Sequence, residues 1–307
     1  MHRARSIGVK LHARMLSTGK PPTPGHCVNS VKLHARMLST AKPPTLGLCI
    51  IGDEVLNGRT LDVNTQTLAQ HAFAHGIPLQ TVHTVPDSAE RIAHSLSMLT
   101  QQHSAVFTSG GIGPTHDDIT YSAVAGFFNR PLEYHGETLA RMHRMIPEGM
   151  VRPDPRGSGA EQACARMALL PRDARVVFPC DDLWVPVVCL GGVHVLPGVP
   201  RLFRRMLAAY VPRWWPGEEG MRGVRGLRRV LVATGMRESA LAPVLERLQG
   251  KYAAQGVRLG SYPQWPADAP KSARVVVSAV GTAEHSLNAC RAELVHLLHG
   301  TVLDDTE

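Results

Sequence analysis

The sequence holds no Asp or Glu before Asp53, no C-x-x-C pair, and no long apolar run. Without an apolar stretch of about 18 residues, no membrane-spanning helix is expected. Without one of about 7–15 residues near the start, no secretory signal is expected either. The cysteines (Cys27, Cys49, Cys164, Cys180, Cys189, Cys290) are scattered singly, which argues against a structural zinc site or a disulfide framework and for reduced thiols. The Gly-Lys-Ser/Thr of a P-loop and the dinucleotide fingerprint are also missing.

What is present is a 307-residue chain of 33.3 kDa with a mean hydropathy of −0.07. That leaves room for one large domain, or one of about 150–200 residues with a small companion. The net charge of +8 hints at nucleic acid, but its position overturns that. Residues 1–52 carry eight basic residues (Arg3, Arg5, Lys10, Arg14, Lys20, Lys32, Arg36, Lys42), and the rest has 25 basic against 25 acidic. A neutral body offers no basic field for a nucleic-acid groove.

The basic arm, residues 1–45, contains a near-exact duplication: Val9–Thr23 recurs as Val31–Thr45, differing only at Gly19 and Ala41. Two copies are too few to stack into a solenoid. Arginine, lysine, serine, threonine, leucine and methionine without acid read as a mitochondrial-type transit peptide, the alternative being a basic tail on a cytoplasmic protein. The Lys-Pro-Pro-Thr segments break any helix. The ordered fold is expected from Leu46.

From there strands and helices alternate. Leu46–Ile51, Ile77–Val85 and Ser104–Ser109 read as strands, and 60–75, a segment through Ile92, Leu96 and Leu99, and 118–128 read as helices. Such alternation predicts an α/β fold: a mostly parallel sheet in a three-layer α/β/α arrangement. A further helix is expected over 137–145, a mobile loop over 147–159, short strands near 174–178, 184–190 and 193–196, and a helix over 201–210. This first domain spans 46–212. The Gly/Pro-rich stretch 213–226 reads as a linker, and 227–300 as a small β-α-β-β-α sandwich.

The chemistry is expected at strand ends. Thr108-Ser-Gly-Gly-Ile-Gly-Pro-Thr-His-Asp-Asp follows a buried strand. Gly110, Gly111 and Gly113 let backbone amides approach an anion, and the following helix N-terminus adds a positive dipole. Ser109, Pro114 and Thr115 flank that nest. Asp117 and Asp118 beside a phosphate make sense if they hold a divalent cation or position water; otherwise one of them caps the helix. Gly52, Asp53 and Glu54 end the first strand and Asp87 the second, all on one sheet edge. Asp87 could equally be a helix N-cap, Asp53 and Glu54 ordinary loop acids, and Pro197-Gly198 a plain reversal. His71 and His75 have helical spacing but no third ligand, and read as surface residues.

Together, Ile51-Gly-Asp-Glu-Val-Leu-Asn-Gly-Arg, the glycine motif and Leu196-Pro-Gly-Val-Pro-Arg-Leu-Phe resemble the molybdopterin-binding (MoaB/Mog) domain family. Ala165-Arg-Met-Ala-Leu-Leu-Pro, Leu183-Trp-Val-Pro-Val-Val, Gly235-Met-Arg-Glu-Ser-Ala-Leu-Ala-Pro and Gly260-Ser-Tyr-Pro favour its branch in eukaryotic FAD synthase, next to the CinA relatives. The resemblance implies a metal-dependent dinucleotide pyrophosphatase acting on FAD or ADP-ribose, with Asp118, Asp117 and Asp87 catalytic and Asp118 with Asp53 holding the metal. The other readings are adenylylation of molybdopterin in the same pocket and a catalytically silent nucleotide-binding module. No PAPS-reductase-like domain is recognisable, so FAD synthesis is not expected of this chain alone. The expected partners are a nucleotide or pterin ligand and further copies of the chain in a homo-oligomer, with neither nucleic acid nor membrane.

Overall fold

A computed structural model describes residues 45–214, 227–264 and 273–303. The duplicated arm, except Thr45, and the linker beyond Trp214 lie outside the described residues. Among the described residues, no helix is long and apolar enough to cross a membrane.

The first sheet has six strands in the order β2-β1-β3-β8-β7-β6. They are β1 (Leu46–Ile51), β2 (Leu79–Val85), β3 (Ala105–Ser109), β6 (Arg175–Val177), β7 (Val187–Leu190) and β8 (Val193–Leu196). The first four in spatial order run parallel, and β7 pairs antiparallel with β8 on one side and β6 on the other. The reversal is local: Gly191-Gly192 joins β7 to β8, and a two-residue connection permits only a hairpin. Every residue of β1 and β3 is buried, as both faces of a parallel sheet must be when helices cover them.

The period-2 alternation along β1 sorts its side chains between two cores. Leu46, Leu48 and Ile50 face α2 (Asn64–Ala74) and α7 (Pro200–Trp214), packing with Leu68, Phe203, Met206 and Tyr210. Cys49 and Ile51 face α3 (Ala89–Gln102) and α4 (Thr120–Phe127), packing with Ile92, Leu96, Leu99 and Val124. The result is three layers, α/β/α, as expected. A buried polar network of Cys189, His194 and Tyr210 lies on the α7 side, the Tyr210 hydroxyl 2.9 Å from His194 Nδ1.

Several elements differ from the sequence reading. The helix expected from Thr60 starts at Asn64, because the Asp62 carboxylate accepts the amides of Asn64 (2.9 Å) and Thr65 (3.0 Å) and fixes the turn there. Asp53–Leu56 forms a one-turn helix, α1. α5 (Gly136–Met145) matches its expectation. Beyond it, the stretch read as a loop leads into α6 (Gly159–Arg166), which opens on a capping box between Ser158 and Glu161. Short strands β4 (Leu132–Tyr134) and β5 (Leu169–Pro171) pair with each other.

The second sheet, β10-β11-β9-β12, is antiparallel throughout. It comprises β9 (Arg228–Thr234), β10 (Arg258–Pro263), β11 (Val275–Gly281) and β12 (Thr301–Leu303), the last not foreseen. Helices α8 (Glu238–Tyr252) and α9 (Glu284–Leu298) bury Leu241, Leu248, Leu287, Cys290 and Leu294 against Val232, Val275 and Val277.

Candidate functional site

Four parallel strands end on one edge, and their terminal loops meet there. Backbone hydrogen bonds seam them: Gly52 N–H to Val85 O (3.1 Å), Gly110 N–H to Leu196 O (3.3 Å) and Thr120 N–H to Gly111 O (2.9 Å). Gly110 is left-handed with φ of +109°, and a Cβ there would collide with the Ile51 carbonyl oxygen. On the other side, a Cβ at Gly198 would lie 3.1 Å from Gly110 Cα. The glycines at 110 and 198 thus let three strand ends pack backbone to backbone.

The acidic residues sort differently from the sequence expectation. Asp87 is not the cap of α3; Ser88 is, accepting the Arg91 amide at 3.5 Å. Asp87 instead accepts the Asp53 amide at 3.1 Å. Burial holds its carboxyl above the ordinary aspartate range, and repulsion from Asp53, Glu54 and Asp117 adds to this, against the Asp53 hydrogen bond. Neither Asp117 nor Asp118 caps α4, whose N-cap, Ile119, carries no side-chain bond. Asp118 folds back instead: its Oδ2 accepts the Thr115 amide at 2.9 Å and the Thr115 hydroxyl. Gly113 makes room for it, since a Cβ there would lie 2.6 Å from that oxygen. Asp117 is exposed, and hydrogen bonding at Thr115 and at its own amide, with nearby His116, keeps its carboxyl below the ordinary range.

So Asp53, Glu54 and Asp117 crowd the Asp87 carboxyl with like charge, while Asp118 braces the glycine loop. Among the described residues, no three His, Cys, Asp or Glu side chains converge on a point where they could enclose an ion. Ser109 donates to Pro197 O at 3.3 Å, bringing the Pro197-Gly198 turn to the same edge. His75 Nδ1 lies 2.8 Å from His71 O within its own helix, away from this chemistry.

Sequence reasoning missed two residues. Asn64 is buried and donates from Nδ2 to Ser109 Oγ (2.9 Å) and Gly198 O (2.8 Å), while its Oδ1 has no partner. Arg166, at the end of α6, donates from Nη1 to Thr115 O at 3.2 Å. Both join segments far apart in the chain, and no local motif announces them.

The raised proton affinity of Asp87 has a consequence for stability. A group that holds its proton more tightly folded than unfolded favours folding below its unfolded value, and that benefit is lost as pH rises through its folded value. For Asp87 the loss begins above the ordinary 3.8 and proceeds as pH rises through its raised folded value. Asp87→Asn keeps an acceptor for the Asp53 amide and removes the charge. The variant is therefore expected to melt above the wild type at about pH 7, with the gap closing toward about pH 4. Melting curves at the two pH values check this; an equal gap at both would assign it to something other than the carboxylate.

Comparison with known proteins gives the following. A family model described as "Probable molybdopterin binding domain" matches residues 47–214, more than half of the chain. One described as "FAD synthase, middle domain" matches residues 228–307. A "Probable FAD synthase" of Caenorhabditis elegans is 26% identical over 226 residues, 70% of this chain and 43% of that protein. A CinA-like protein of Citrifermentans bemidjiense is 35% identical over 202 residues, 64% of this chain and 46% of that one. The chain thus spans about half the length of these relatives. Among solved structures, the CinA protein of Thermoplasma acidophilum aligns with a TM-score of 0.48 and 24% identity, over 55% of this chain and 96% of that one.

Proposed function

We propose that this chain, which belongs to the molybdopterin-binding domain family, binds a nucleotide diphosphate at the strand-end site and hydrolyses its pyrophosphate. The observation that carries the reading is the meeting of a glycine-rich turn with crowded carboxylates. The backbone amides of Gly111, Ile112 and Gly113 suit phosphate oxygens, whereas carboxylates alone would repel them.

The donor set is hard oxygen throughout, and it does not enclose an ion by itself. That is how small divalent cations of the magnesium type are commonly held, by one or two carboxylates completed by the phosphates of the substrate. The residues therefore fit such an ion, with Asp118, Asp53 or Asp117 as its holders, and relief of the repulsion at Asp87 as part of its binding energy. When bound, the ion supplies positive charge at the pyrophosphate.

The chain's own groups do the rest. Glycine amides orient the phosphates. Asp118, fixed by Thr115, keeps the loop in the conformation that presents those amides. Asp87, whose raised proton affinity suits a general base, takes a proton from water as its oxygen attacks phosphorus and the phosphoanhydride bond breaks. Two phosphate monoesters leave: AMP with FMN from FAD, or AMP with ribose 5-phosphate from ADP-ribose. The family match favours a second reading, adenylylation of a pterin in the same pocket. The acid-free arm supports delivery to mitochondria.

The test is to incubate the full chain with FAD, ADP-ribose, or ATP plus molybdopterin, with and without several divalent metals. Metal-dependent AMP release from either dinucleotide is expected. An adenylylated pterin with pyrophosphate release would favour the second reading, and binding without turnover of any substrate would make the domain a silent binding module.

A further inference from the structure

We infer that Arg166 is a phosphate-binding residue of this site, supplying from α6 a permanent positive charge beside the glycine loop. The inference rests on the reading of the site as a diphosphate pocket. Gly52–Glu54, Asp87 and Gly110–Asp118 bring five carboxylates and no lysine or arginine. The cation comes from 51 residues beyond Thr115, whose carbonyl accepts from Arg166 Nη1 at 3.2 Å.

The placement is built rather than incidental. α6 is pinned at its start, where Ser158 N–H donates to Glu161 Oε2 at 2.6 Å. It is pinned at its end by buried Cys164 and Ala165, where a turn closes with Ala168 N–H to Ala165 O at 2.9 Å. Ala168 O then accepts from His135 N–H, also at 2.9 Å. The helix end is thus anchored while its arginine is exposed, at the loop that carries the glycine nest.

Among the described residues, the guanidinium also has no carboxylate partner. Arg130, Arg141, Arg172, Arg205 and Arg228 each pair with a carboxylate. Arg166 makes no ion pair with any described residue, although Asp117 and Asp118 are two and three positions from its acceptor. An arginine has five N–H donors in a fixed fork, and one is used among the described residues. The remaining four suit phosphate oxygens, which guanidinium binds in paired, charge-assisted geometry. A merely structural arginine at a helix C-terminus would favour the helix dipole and hold Thr115, and this alternative is separable by measurement.

The probes are ADP-ribose, which carries the diphosphate, and adenosine, which does not. Their affinities are measured on the full chain, once with a chelator and once with magnesium, for the wild type, Arg166→Ala and Arg166→Lys. ADP-ribose affinity is expected to fall about tenfold or more in Arg166→Ala. Adenosine affinity and melting temperature should stay unchanged, and Arg166→Lys should fall between. Equal losses for both ligands, a loss that follows the melting temperature, or no loss at all would overturn the role of Arg166 while leaving the site intact. A wild type that binds ADP-ribose no better than adenosine under either condition would overturn the diphosphate reading of the site itself, and Arg166 with it.

Discussion

Asp118→Asn lowers metal-dependent dinucleotide hydrolysis by about 10²-fold or more, equivalent to about 2.7 kcal/mol of transition-state stabilisation. The melting temperature moves by no more than about 2 °C. The structure sharpens this expectation. Asp118 Oδ2 accepts from the Thr115 amide and hydroxyl, and an asparagine oxygen can accept both bonds. Loop geometry therefore survives the change, and what disappears is one negative charge beside the glycine nest. Metal-free affinity for the dinucleotide should be unchanged or tighter, because a carboxylate that repels phosphate has gone. Three measurements on one variant decide the matter: turnover with metal, affinity without it, and melting temperature. Unchanged turnover would leave Asp118 as a brace for the loop and nothing more.

Gly110→Ala is expected to cost about 3 kcal/mol of folding stability, combining left-handed backbone strain with a steric clash. Total stability of a domain is only about 5–15 kcal/mol. The backbone at 110 has φ of +109°, and the new methyl group would drive into the Ile51 carbonyl oxygen. Ile51 ends β1 and cannot yield without disturbing its pairing with β2. Gly58 supplies the control. It has φ of +76° and open space where a Cβ would stand, so Gly58→Ala should cost only about 1 kcal/mol of conformational strain. Urea titration of both variants reads the difference. Equal midpoints would mean that the strand ends at the site adapt to the clash, contrary to the tight seam described above.

The layers of the first domain were legible because their signals are local. Ile92, Leu96 and Leu99 recur at helical spacing and are fully buried, and Leu46–Ile51 is an unbroken apolar run of the kind that parallel sheets bury on both faces. The carboxylate cluster was half legible. Strand ends on a common edge followed from topology, but its membership did not. Which acid caps a helix depends on one residue of register, and Ser88 takes the role open to Asp87. Helix α6 carried its own sign in Ser158-Gly-Ala-Glu161, hidden behind a Pro/Gly/Arg-rich stretch that reads as irregular. Asn64 and Arg166 were not legible at all. Their partners lie up to 134 and 51 residues away, and an isolated Asn or Arg carries no pattern.

The seam of backbone bonds between strand ends has one more consequence. Gly52 is tied to Val85, Gly110 to Leu196, and Asn64 reaches across to Ser109 and Gly198. Loops fastened this way to central strands have no hinge of their own, so they open only as the sheet opens. Their conformational entropy is lost once, at folding, and not again when a ligand arrives. A ligand that fits such a rim acts as a further stay on the sheet, and occupancy and fold stability become two readings of one equilibrium.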